Sequence, residues 1–146
     1  GWIMGGFEET LHRDVAVAYF VPAIVYVADA VGTQTEALVV RGLALRQGML
    51  GAEAWRELGT GAVLGLVLGG LAAPAVAVFW GNATLGVAVG LSAFVACSLA
   101  TSIGMVLPWA LSRVGVDPAL GSGPLATIVQ DVLSIVVYLA VVRALV

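Results

Sequence analysis

Apolar residues fill four stretches of this chain, each long enough to cross a bilayer, and polar residues gather between them. A hydrocarbon core about 30 Å thick takes roughly 20 helical residues. The clearest stretch runs from Leu58 to Ser112, 55 residues without one charged side chain. That is enough for two spans and a turn. Phe79-Trp80-Gly81-Asn82 marks the turn, because Gly-Asn suits a reversal and Trp favours the membrane–water interface. Spans are therefore predicted at 58–79 and 84–108, the second closed by Pro108 and Trp109. Arg113 to Pro124 is rich in Gly and Pro and reads as a connector. The last span, 124–146, is interrupted only by Gln130, Asp131 and Arg143.

The stretch at 14–40 is different. It is long enough to span, yet it holds Pro22, Asp29, Gly32, Thr33, Gln34 and Glu36. A helix facing lipid would not carry these, so this one is expected to face protein or a water-filled path, with Pro22 placed to kink it. The section 41–57, with Arg41, Arg46, Glu53, Arg56 and Glu57, reads as a loop or short interfacial helix. The opening GWIMGGF is too short to span and lacks the pattern of a signal peptide. It reads as the tail, at about 1–8, of a helix truncated at its start. The fold class is therefore all-α: a polytopic membrane helix bundle of four full spans plus a truncated first helix.

Composition agrees and excludes the alternatives. The chain is 61% hydrophobic and 10% charged, where soluble domains run about 45–50% and about 25%. A soluble globular domain and a disordered segment are both ruled out. Nine acids against six cations give a net charge of −3, and no basic cluster offers a footprint for nucleic acid. The partner is the lipid bilayer, as a multi-pass protein of the cell (plasma or inner) membrane. All six cations are arginines, and four of them (Arg41, Arg46, Arg56 and Arg113) fall in the 41–57 and 113–123 connectors. The excess places those connectors in the cytoplasm. The lone Cys97 reads as a packed thiol and the lone His12, beside Arg13 and Asp14, as a solvated or interfacial residue. No nucleophile–base constellation appears, so an enzyme is not expected.

Two features remain. Gly61, Gly65 and Gly69 make one small-residue face, and Gly86 and Gly90 another. Such faces let helix backbones approach closely in lipid, either across a dimer seam or within one subunit. The second feature is the intramembrane acids. Placing one at the bilayer centre costs about 2.5–3.5 kcal/mol on insertion scales. Asp29 and Glu36 are seven apart and share a face with Thr33 between them, and Glu36, near Arg41, is expected to be wet. Asp131 lies well inside its span, with Thr127 at i−4, Gln130 beside it and Ser134 at i+3, which suggests an oxygen-rich face. Hard oxygen donors without a His/Cys cluster suit Mg²⁺, Ca²⁺ or Mn²⁺ rather than zinc or copper. The stripe reads either as a cation path or as a structural hydrogen-bond network.

Three segments resemble the transmembrane domain of the MgtE family of magnesium channels and transporters. One is PAIVYVADAVGTQTEALVVRGLAL, from Pro22 to Leu45. It is similar to the family's proline, G-N-x-G-x-Q-like stretch and V-R-G-L-A. Another is Arg56-Glu57-Leu58 leading into a glycine-rich span. The third is LPWALSRVGVDPALGSGPLATIVQDVLSIVVYLAVVRAL, which resembles the family's L-P, R-x-G-x-D-P-A, proline and last-helix aspartate. The resemblance implies a five-helix subunit working as a homodimer, with a pore on the two-fold axis lined by the second and fifth helices. It implies that Asp131 from both subunits holds hydrated Mg²⁺, with Thr127 one turn before it, and that Asp29, Gly32, Thr33, Gln34, Glu36 and Gly123 lie along the path. Two departures stand out. Asp29 and Ala30 occupy the glycine and asparagine positions of the family stretch, and Gly123 stands where some relatives carry asparagine. The family's cytoplasmic regulatory domains are absent from this chain, so their gate is expected to be missing.

The expected function is thus permeation of Mg²⁺ or a related divalent cation (Mn²⁺, Co²⁺ or Ca²⁺) through a homodimer. Two rivals stay open. One is an exchanger coupled to protons or sodium through Asp29 and Glu36. The other is a non-transporting membrane subunit whose acids only hold helices together.

Overall fold

The computed structural model describes residues 15–45 and 52–146. The expected helix tail at 1–8, His12 and Arg46 lie outside the described residues. Four helices account for nearly all of the rest: α1 (Val15–Ala44), α2 (Ala52–Trp80), α3 (Ala83–Arg113) and α4 (Pro118–Leu145). All four are long and apolar enough to cross a membrane. At 1.5 Å per residue, the 30 residues of α1 reach about 45 Å.

The α2–α3 turn falls where Gly-Asn predicts it. Gly81 takes a positive φ of 65°, which glycine adopts without strain. Asn82 then caps α3, its Oδ1 accepting from the Leu85 N–H at 3.0 Å. Trp80 closes α2 with its ring edge-on to Phe20, centroids 4.9 Å apart.

Three helix ends differ from expectation. The third helix passes through Pro108 and Trp109 and stops at Arg113. Pro108 is buried against neighbouring helices, which is where a transmembrane helix tolerates a missing N–H. The real stop is Gly115 with φ 79°, where Val116 N–H donates to Leu111 O and Gly115 N–H to Ser112 O. The fourth helix starts at Pro118 rather than Pro124. Asp117 caps it, accepting from Ala119 N–H at 2.9 Å, and Pro118 fills the first turn, where no N–H is needed. The Gly- and Pro-rich connector therefore shrinks to residues 114–117. Similarly α2 begins at Ala52, so Arg56 and Glu57 are helical.

The third helix is the centre of the bundle, packed against α1, α2 and α4, while α1 and α2 barely touch. The core is built on its small residues: Ala88, Ala93, Ala96 and Ala100 meet Val17, Ile24 and Ala28 of α1 and Leu139 and Val142 of α4. Both glycine faces are consumed in this packing. A Cβ on Gly65 would stand 2.9 Å from Phe94 Cα, and one on Gly90 would stand 2.7 Å from Gly69 O. Gly61 abuts Thr101, Gly69 abuts Gly90, and Gly86 abuts the Ala73 carbonyl. The stripes are an antiparallel α2–α3 seam within one chain.

Candidate functional site

The site is built where α1 and α4 run antiparallel. Their register is fixed at several levels. Tyr138 OH donates to Val17 O at 2.9 Å near one end. Gly32 abuts the Gln130 amide further along. Glu36 reaches α4 beyond that, its Oε1 lying 3.8 Å from where a Gly123 Cβ would be. Gly32 also meets α3, since a Cβ on Gly104 would sit 2.6 Å from Gly32 O. Only a glycine at each side of this crossing lets the backbones come so close.

This register brings Asp29 and Asp131 together. Both lie at the midpoints of their helices, at one level of the antiparallel α1–α4 register. Both are half-buried. Asp29 Oδ1 is enclosed and has no hydrogen-bond donor among the described residues. Thr127, also half-buried, lies one turn from Asp131, and Thr33 is exposed one turn from Asp29. Thr33 Oγ1 donates back to Asp29 O at 2.8 Å, so its lone pairs face outward. The result is two carboxylates with hydroxyl oxygens one turn away, a hard donor set. Among the described residues no three His, Cys, Asp or Glu side chains converge on one point.

Other expected site residues fall elsewhere. Gln130 and Ser134 are buried, at 1% and 2% exposure, in the chain's own interior and not on the half-exposed face with Asp131. The Gln130 amide donates to Ala100 O of α3 at 3.4 Å, and its Oε1 is left without a partner. The expected oxygen-rich face is therefore split between the interior and the surface. Gln34 is exposed. Glu36, expected to be wet, is only 6% exposed, between α1 and α4. Gly123 is half-buried opposite it. Sequence reasoning passed over Tyr138, which ties α4 to α1, and buried Thr35 beside Glu36. Tyr138 continues the polar run Thr127, Asp131, Ser134 at helical spacing, which was its available signal.

Arg41, Arg56 and Arg113 sit at helix ends that the antiparallel packing brings to one side of the bundle. Arg113 lies over the Trp109 ring at 5.1 Å. This is the arrangement of a multi-pass membrane protein with one arginine-rich side.

The sequence pattern of the MgtE family, described as a divalent cation transporter, matches residues 21–141. The chain belongs to the MgtE family. It is 38% identical to the magnesium transporter MgtE of Thermus thermophilus, across 98% of this chain and 32% of that protein. It is 35% identical to the magnesium transporter MgtE of Bacillus subtilis, across 99% of this chain and 33% of the relative. The magnesium transporter MgtE of Enterococcus faecalis is 30% identical across 93% and 31%. The chain thus spans about a third of the length of these MgtE relatives.

Proposed function

We propose that this chain is the membrane pathway of a homodimeric Mg²⁺ transporter, with Asp131 and Asp29 holding the hydrated ion. The observation that carries the reading is the Asp29–Asp131 pair. Two carboxylates stand at one level of adjacent helices, and one enclosed oxygen, Asp29 Oδ1, has no donor among the described residues. A buried unpaired acceptor costs about 1–3 kcal/mol, and here it is a carboxylate at the same level as a second one. A divalent cation satisfies both charges at once. The names of the MgtE relatives supply its identity as magnesium.

Exposure supports the second copy. Asp131, Thr127 and Thr33 lie at or near the surface of the single chain, where hydrocarbon would penalise a charge by about 2.5–3.5 kcal/mol. A partner related by two-fold symmetry covers that face and doubles the carboxylates around one axis. Mg²⁺ gives up its waters reluctantly, so it passes with its shell on, and contact through water keeps binding weak enough for release. The arginine-rich side faces the cytoplasm.

The test is Mg²⁺ uptake into proteoliposomes. Asp131→Ala should abolish most of the flux, and undiminished flux overturns the assignment. Protons compete for the same carboxylates, so flux should fall as the medium is made acid. Uptake should not need an imposed proton or sodium gradient, and a strict requirement for one would favour exchange.

A further inference from the structure

Where α1 and α2 barely touch, a groove of about 470 Å³ opens between them over α3. Its floor is buried: Ile24, Val76, Val89 and Ala93 are each 5% exposed or less. Its lip is the opposite. Leu71 and Phe79 of α2 line the groove and are 67% and 81% exposed. The groove is thus continuous with the outer surface that these membrane-spanning helices present to hydrocarbon. None of the described lining residues carries a charge, a hydroxyl, an amide or a carboxyl group, and the Trp80 indole at one end is the sole polar group among the lining side chains. From Leu68 to Trp80 the groove follows α2 for about 18 Å. One leaflet supplies about 15 Å of hydrocarbon, half of the core. Trp80, edge-on to Phe20, stands at the mouth, at the end of the bundle away from Arg41, Arg56 and Arg113.

We propose that this groove binds one acyl chain of a phospholipid from the leaflet facing away from the arginine-rich side. Left empty, the floor forgoes its dispersion contacts, since a void offers no atoms on one side. Ions, metabolites and peptides carry polar groups that this lining cannot pair. A further transmembrane helix needs roughly 20 residues, about 30 Å, and the groove offers little more than half that length. A single hydrocarbon chain matches the lining, the length and the sideways opening together. It enters past Leu71 and Phe79, its end reaches toward Leu68 and Val27, and its headgroup stays at the level of Trp80. Because the groove is continuous with the lipid-facing surface, the chain enters from the bilayer without crossing water. The lining shares no residue with the Asp29–Asp131 pair, so the site does not depend on whether that pair conducts.

The probe is palmitoyl-oleoyl phosphatidylcholine, whose headgroup has no net charge for the arginines to attract. It is titrated into the full chain in detergent, and native mass spectrometry counts the lipids retained per chain. One should be retained. Ala23→Phe together with Ala75→Phe fills the groove from both walls, at exposed positions, and should weaken retention at least ~tenfold. Val63→Phe, on α2 but outside the groove and 58% exposed, should leave it unchanged. If the double variant fails to fold, Ala75→Leu alone serves, with a loss of at least ~threefold. Equal retention in the groove variant and in Val63→Phe, or no retained lipid, overturns the proposal. So does a disulfide-linked dimer of Ala75→Cys in oxidised membranes, which would seat a second copy in the groove. Cys97 is fully buried and cannot form that link.

Discussion

Asp131 and Gln130 are adjacent in the chain, and a helix turns about 100° between them. That rotation sends Gln130 into the seam with α1 and α3 and leaves Asp131 half-exposed. Gln130 is a tight fit against Gly32. Gly32→Ala should therefore destabilise the protein, and Gln130→Ala in the same chain should restore part of the loss. A double-mutant cycle by thermal unfolding in detergent should give a coupling of about 1 kcal/mol or more, and additive effects would contradict the contact. Tyr138→Phe removes a long-range hydrogen bond to Val17 O. It should lower stability by about 0.6 kcal/mol, the average for side-chain hydrogen bonds between membrane helices. Asp131 was legible in the sequence because a charge inside an apolar run has few other meanings. The inward turn of Gln130 and Ser134 was not. Periodicity gives the angle between residues, but in lipid the outer face is as apolar as the core, so hydropathy does not say which direction is inward.

At the level of elements, the same chemistry explains which boundaries could be read. Gly81-Asn82 interrupts an otherwise uniform apolar run, so its turn stood out, and the cap on Leu85 N–H follows from it. Asp117-Pro118 is an equally definite start signal, yet the Gly and Pro residues after it suggested a connector. Within a bundle those residues are tolerated, and the helix runs on through Gly123 and Pro124. Asp117→Ala should shorten α4 at this end and cost about 1 kcal/mol, since the cap satisfies a first-turn N–H. Hydrogen exchange at Ala119 and the next residues should speed up. The glycine stripes were legible as close-packing faces but not as internal ones, because a GxxxG pattern looks alike on either side of a subunit boundary. Their partners decide it: Gly69 and Gly90 abut each other within the chain. Gly90→Leu should wedge α2 from α3 and abolish the folded chain, seen as aggregation in size-exclusion chromatography, whereas a dimer seam would give folded monomers.

For the whole molecule, the central place of α3 leaves α1 and α4 as neighbours at the surface. Ile128, 61% exposed on α4, is one turn from Asp131. Ile128→Cys should form a disulfide-linked dimer in membranes on mild oxidation, while the unaltered chain should not, since its single thiol, Cys97, is fully buried. Absence of the cross-link would count against a two-fold axis beside α4. The way the chain is wired has one more consequence. The α2–α3 hairpin is closed by a two-residue turn and knit by neighbouring glycines, so its contacts are local and form early. The α1–α4 contacts join residues as far apart as Val17 and Tyr138, and they must wait until α4 has emerged from the ribosome. A nascent chain therefore builds first a hairpin whose charges lie only at its ends, and the carboxylates of α1 meet those of α4 only once α4 has been made. The Asp29–Asp131 pairing is thus the last feature of the described bundle to form.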